Sequence, residues 1–159
     1  MPSFRGLSDD QLLAQCRFEA FRGPGPGGQK RNKTSSAVRL THAPSGISVI
    51  AGESRSQHRN RQVAINRLRH QIALRLREPL DPSQFPDPAR LQVSRRSADY
   101  PAAVGIVLDA LSSAGWSVSA AADILGVTTA PLVSFLRGDA MLWTEVNRQR
   151  QKIGLRTLN

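Results

Sequence analysis

Gly23-Pro24-Gly25-Pro26-Gly27-Gly28-Gln29-Lys30-Arg31-Asn32-Lys33 is a glycine-rich segment that presents one glutamine and turns at once into a basic polar run. The adjacent Gly27 and Gly28 let the backbone take φ > 0 and bring its amides against a ligand that any Cβ would hold off. Gln29 has no useful pKa, so it serves neither as general base nor as nucleophile. Its worth lies in positioning. An amide aimed where an oxyanion develops during acyl transfer contributes roughly 10²–10³ in rate, and water can then be the nucleophile. Gly-Gly-Gln alone, three residues of common type, describes a surface turn equally well. The flanking sequence separates the two.

Upstream, Cys16-Arg17-Phe18-Glu19-Ala20-Phe21-Arg22 alternates at period two, with Cys16, Phe18 and Ala20 on one face, and reads as a strand feeding the glycine segment. Before it, Ser8-Asp9-Asp10 followed by Gln11-Leu12-Leu13 reads as a short capped helix. Downstream, Val38–His42 and Ile47–Ile50 form two more strands joined through Ala43-Pro44-Ser45-Gly46, whose proline and glycine are turn residues. From Ser56 to Arg77 the period becomes helical. Ile65, Leu68, Ile72 and Leu76 make one apolar face that closes the strands' core, and Arg59, Arg67 and Arg77 are expected to stay in solvent.

The ordered series Gly27-Gly28-Gln29-x-x-Asn32-Lys33, Thr34–His42, Pro44–Ile50 and Ser54-Arg55-Ser56-Gln57-His58-Arg59-Asn60 resembles the peptidyl-tRNA hydrolase (GGQ) domain of class I peptide chain release factors, over about residues 18–76. The resemblance implies that Gln29, its backbone set by Gly27 and Gly28, enters the peptidyl transferase centre of the large ribosomal subunit and promotes hydrolysis of the ester of P-site peptidyl-tRNA. It implies contacts to large-subunit rRNA for Arg22, Lys30, Arg31, Asn32, Lys33, Arg55, Gln57 and Arg59. It makes Gln29 a candidate for N5-methylation and a methyltransferase a candidate partner. Lys30-Arg31 departs from the family's loop, which usually carries an aliphatic or small residue two places after the glutamine. The departure adds charge and leaves Gln29, Asn32 and Lys33 in place.

Charge follows the same division. Residues 1–78 hold 14 Lys/Arg against 5 Asp/Glu, a net of +9, and residues 79–159 hold 8 against 7, a net of +1. A cationic module is an electrostatic footprint for polyphosphate, which rRNA supplies. A membrane surface would also want an exposed apolar face opposite the charge, and the pattern offers none. Cys16 is the only cysteine, so no intrachain disulfide and no cysteine-based zinc site are expected. It reads as a half-buried strand residue. No metal or cofactor is expected. The first residues lack the long apolar core of a secretory signal, and a cytoplasmic location follows as the expectation.

Residues 79–88 place four prolines in ten positions, which neither a helix nor a central strand tolerates. Beyond them, Pro101–Ser113 reads as an amphipathic helix carrying Val104, Val107, Leu108 and Leu111, ended by Gly115-Trp116. Ser119–Leu136 resembles the helix-turn-helix pattern, with Gly126 at the turn and Ala121, Leu125, Val127, Leu132 and Phe135 at core positions. Its second helix offers Thr128, Thr129, Ala130, Val133 and Ser134 where base readout wants Arg, Asn or Gln. One arginine against five acids between Ser97 and Glu145 predicts a surface that repels phosphate. DNA is therefore disfavoured as a partner. A last helix from Ala140 carries Trp143 and Val146 and ends basic; Trp116 and Trp143 read as core anchors.

The expected fold is α+β: residues 1–78 form a GGQ domain with a small mixed sheet packed by a long helix, residues 79–96 a proline-rich linker, and residues 97–159 an all-α helical module. Full release factors read stop codons through a separate domain marked by Pro-x-Thr or Ser-Pro-Phe, and neither occurs here. The expected function is codon-independent hydrolysis of peptidyl-tRNA, as in the rescue of stalled ribosomes. The alternative is a non-catalytic ribosome- or rRNA-binding factor acting in assembly or on damaged or split ribosomes.

Overall fold

The computed structural model describes residues 3–22, 36–80 and 91–159. Helix α1 (Asp9–Ala14) leads into strand β1 (Cys16–Phe21). Strands β2 (Ala37–His42) and β3 (Ser48–Ala51) follow, then the 19-residue helix α2 (Gln57–Arg75). Four more helices follow among the described residues: α3 (Tyr100–Ser113), α4 (Val118–Leu125), α5 (Thr129–Arg137) and α6 (Ala140–Lys152). The chain divides into two compact units, Met1–Ile72 and Ala73–Asn159.

In the first unit the strands lie in the order β1-β2-β3, each antiparallel to its neighbour. The expected mixed sheet is corrected: among the described residues the sheet is antiparallel throughout. The physical reason is the connectivity, because a parallel pair needs a crossover, usually a helix, between its strands, and here each strand is followed by one that runs back along it. The β2–β3 turn closes with Gly46 at φ +70° and its amide on the His42 carbonyl at 2.8 Å. Ser8 caps α1 reciprocally with Gln11, at 3.2 and 2.9 Å. Val38, Leu40, Val49 and Ala51 alternate onto a buried face, and Ala64, Ile65, Leu68 and Ile72 of α2 are buried at spacings of three and four.

His42 lies at the turn end of this core with no exposed surface. Its Nε2 meets Gln15 Oε1 at 3.0 Å and its Nδ1 meets the Ser45 hydroxyl at 2.7 Å. Because the amide oxygen only accepts, the neutral ring carries its proton on Nε2. Burial pulls the imidazole pKa down from its ordinary value. Cys16 is half-buried as expected, its thiol donating to the Leu12 carbonyl at 3.1 Å and its pKa raised by burial.

In the second unit α3 is buried on every side from Ala103 to Leu111. It ends at Gly115 (φ +59°) and Trp116 (φ +64°), where the Trp116 amide returns to the Leu111 carbonyl at 2.7 Å. Trp116 is buried and Trp143 packs half-buried against the same core, as expected of anchors. Helices α4 and α5 are set at a bend of 106°, with Gly126 left-handed at the turn (φ +67°). This is helix-turn-helix geometry, and Ala121, Leu125, Leu132 and Phe135 are buried within it. Among the described residues no single helix is long and apolar enough to cross a membrane.

Three expectations are corrected here. Arg77 is not a solvated helix residue: α2 stops at Arg75, and Arg77 Nη1 meets the buried Asp109 carboxylate at 3.2 Å. Leu76 likewise falls outside the helix. The acidic count of the helical unit is not an acidic surface. Asp109 and Asp139 are buried, Asp139 capping α6 through the Met141 and Leu142 amides and accepting the Tyr100 hydroxyl at 2.8 Å. Glu145 is paired with Arg148 at 2.6 Å. Of the five acids counted, Asp99 and Asp123 are the exposed ones.

Candidate functional site

Gly27, Gly28, Gln29, Lys30, Arg31, Asn32 and Lys33 lie outside the described residues; what the structure does describe is the frame on which that segment is mounted. The chain leaves β1 at Phe21 and re-enters at Ala37, and these two residues are register partners. Val38 pairs with Ala51, so β3 ends at the same end of the sheet. The 52–56 turn and the start of α2 follow directly. The His42 turn and α1 occupy the opposite end.

Asn60 ties this end together. Its Nδ2 donates to the Ser36 carbonyl at 2.7 Å and to the Ser54 carbonyl at 2.8 Å, and its Oδ1 accepts the Ser54 amide at 3.0 Å. The side chain is fully buried. Ser36 is the residue before β2, so one amide fixes both the return of the 23–35 segment and the turn that carries Arg55. Gly52 permits the close approach: a Cβ there would stand 3.2 Å from that of Ala37. Ser56 accepts the Arg59 amide at 3.3 Å and so caps α2. Sequence reasoning gave Asn60 no role of its own, although a signal was present. Asn60, Ala64 and Leu68 are spaced by four, which sets a polar residue on the apolar stripe of the helix, where it must be hydrogen-bonded.

The arginines of the first unit separate into two groups. Arg39 meets Glu19 at 3.4 Å, and Arg69 holds Asp9 at 2.8 Å and the Leu7 carbonyl at 2.7 Å. Arg67 pairs with Glu53 and donates to the Ile50 carbonyl at 2.6 Å. The guanidinium of Arg69 pulls the Asp9 carboxyl below its ordinary value, and that of Arg67 does the same to Glu53. These arginines are structural. Arg22, Arg55 and Arg59 are exposed, and among the described residues no carboxylate pairs with them. Gln57 is exposed beside them at the first position of α2. The first turn of α2 contains no acid, although a helix N-terminus favours negative charge. The structure thus brings Arg55, Gln57 and Arg59 together at the start of one helix, joined through Asn60 to the return of the 23–35 segment. Arg22 stands at its departure. Among the described residues no group of His, Cys, Asp and Glu is arranged to hold a metal.

The RF-1 domain family model matches residues 12–97, more than half of the chain. The chain belongs to this family, the class I release factor GGQ domain family. Peptide chain release factor 2 of Variovorax paradoxus (strain S110) is 56% identical over 59 residues, 37% of this chain and 16% of that protein. Peptide chain release factor 1 of Syntrophobacter fumaroxidans is 43% identical over 81 residues, 51% of this chain and 21% of that protein. Peptide chain release factor 1 of Acidiphilium cryptum is 52% identical over 72 residues, 45% of this chain and 20% of that protein. The matched segment is about a fifth or less of the length of each relative.

Proposed function

We propose that this protein releases nascent peptide on the ribosome, by hydrolysis of the peptidyl-tRNA ester at a loop whose Gln29 is positioned by Gly27 and Gly28. The observation that carries the reading is the frame just described. Residues 23–35, which contain Gly-Gly-Gln, connect the paired residues Phe21 and Ala37, and the exposed Arg22, Arg55 and Arg59 have no carboxylate partner among the described residues. The family and the relatives named peptide chain release factors support the release role. Gln29 contributes an amide to the developing oxyanion, and the attacking group is water. Lys30, Arg31, Asn32 and Lys33 hold the loop near rRNA of the peptidyl transferase centre. Arg22, Arg55, Gln57 and Arg59 contact rRNA around its base. N5-methylation of Gln29 by a methyltransferase belongs to this reading, as does a cytoplasmic location.

We further propose that release is independent of a codon, as on stalled ribosomes. In this reading residues 1–78 are the GGQ module, 79–96 a linker and 97–159 a helical module. The test is peptide release from ribosomes holding peptidyl-tRNA in the P site, with mRNA ending there or extending beyond it. Release on both, abolished by Gly28→Ala in a protein that melts like wild type, is the expected result. Release only with a stop codon in place would refute codon independence. Unimpaired release by Gly28→Ala would refute the assignment of the loop. Binding to ribosomes without release would favour the non-catalytic factor.

A further inference from the structure

Phe18 is exposed where its register calls for burial. It stands opposite Leu40, which has no exposed surface, yet it is itself 43% exposed. Among the described residues β1 is an edge strand, so the ring overhangs the side of the core. The guanidinium of Arg61, from α2, lies over that ring at 5.9 Å from its centroid. Arg61 is exposed, and among the described residues no carboxylate pairs with it. The second aromatic of β1 differs on each count. Phe21 is half-buried, and the Arg39 that covers it at 5.2 Å is also paired with Glu19.

We propose that Phe18 and Arg61 form a stacking platform for one unpaired RNA base, on the strand that ends at Phe21. Resting on the ribosomal reading above, this deepens it by naming a base contact among phosphate contacts. Unstacked bases are received on aromatic rings and on guanidinium planes, and the pair offers one of each. Charge favours nucleic acid over an apolar protein partner: Arg59 is exposed on the same helix, and Arg55 precedes it on the turn. A phosphate alone would use the arginine and leave the exposed ring without a purpose. A base uses both.

Two measurements test this, with Phe18→Ala, Phe18→Leu and Phe18→Tyr compared after thermal melts establish folding. The first is the protein concentration giving half-maximal peptide release. A stacked base is worth about 1–3 kcal/mol, so Phe18→Ala should raise that concentration roughly tenfold. Phe18→Leu should do the same, and Phe18→Tyr should restore it. The second is binding of oligoadenylate against an abasic strand of equal length, which needs no release activity. Wild type should prefer the strand with bases, and Phe18→Leu should bind the two alike. A leucine variant equal to wild type in the oligonucleotide assay, a leucine variant equal to an active wild type in the release assay, or a wild type blind to the bases overturns the platform. Base-dependent binding lost in Phe18→Leu, in a wild type that releases no peptide, keeps the platform and refutes the release reading.

Discussion

The two units treat charge in opposite ways. In the first, positive charge is in excess, and the fold commits Arg39, Arg67 and Arg69 to carboxylates or carbonyls while leaving Arg22, Arg55 and Arg59 exposed at one end of the sheet. In the second, five acids stand against one arginine between Ser97 and Glu145, and the fold takes Asp109 and Asp139 inside as a partner for Arg77 and a cap for α6. Uncommitted charge on the outside is available to an external polyanion, whereas charge drawn inside specifies packing. A count of residues cannot tell these apart. Only the partners can.

The sharpest way to break this contrast is to remove the hub of each unit. Asn60→Ala leaves the Ser36 and Ser54 carbonyls and the Ser54 amide without their partner in a buried site. The expected loss is about 3 kcal/mol, read by urea denaturation, and peptide release should fall even at temperatures where the variant remains folded, because the loop's return is no longer fixed. Asp139→Ala removes the α6 cap and the acceptor for Tyr100. It should cost about 2 kcal/mol, while release per folded molecule stays at the wild-type rate. Equal effects of the two on release would erase the division between functional frame and packing scaffold.

Much of this frame was legible in the sequence, and the gaps have physical causes. Strand and helix periods, the Ser8 cap and the turns at Gly46 and Gly126 are local signals, and they stand where the spacing put them. The helix-turn-helix core followed from the spacing of Ala121, Leu125, Leu132 and Phe135 for the same reason. What failed depended on distant partners. Arg77 looked solvated because Asp109, thirty-two residues later, is invisible to a helical pattern. Phe18 has the right alternation, but its exposure depends on being at a sheet edge. Asn60 was within reach, as a polar residue on an apolar stripe. Gly27, Gly28 and Gln29 are legible through the resemblance, and the release assays test their chemistry.

A smaller effect separates the units by pH. All three histidines lie in the first unit, and His42 has its pKa depressed by burial below the ordinary 6.5. Above that value the ring is neutral in both folded and unfolded chains, and its contribution is complete. As pH falls below 6.5 the unfolded chain takes the proton first, so stability drops until the folded value is passed, at a slope of at most about 1.4 kcal/mol per pH unit. The lowered carboxyls of Asp9 and Glu53 act in the same direction only further down, below their ordinary 3.8 and 4.5. Between pH 7.5 and 5.5 the first unit should weaken while the second does not. Trp116 and Trp143 report the second by fluorescence, and far-UV circular dichroism reports both. A flat response of the first unit, or one that persists unchanged in His42→Gln, would remove His42 as its cause.

The finest test concerns single arginines within the first unit. Arg59 is exposed and Arg67 is held by Glu53 and the Ile50 carbonyl, although both lie on α2 and carry the same charge. If Arg59 meets a phosphate, Arg59→Ala should weaken ribosome binding and lower its salt dependence by about one counterion, with stability unchanged within about 0.5 kcal/mol. Arg67→Ala should do the reverse. It gives up a surface ion pair and the hydrogen bond to β3, a loss of about 1 kcal/mol, and leaves the salt slope where it was. The two slopes measured side by side decide whether the sorting of arginines by their partners is also a sorting by function. Identical slopes would mean that the exposed end of α2 does not face RNA.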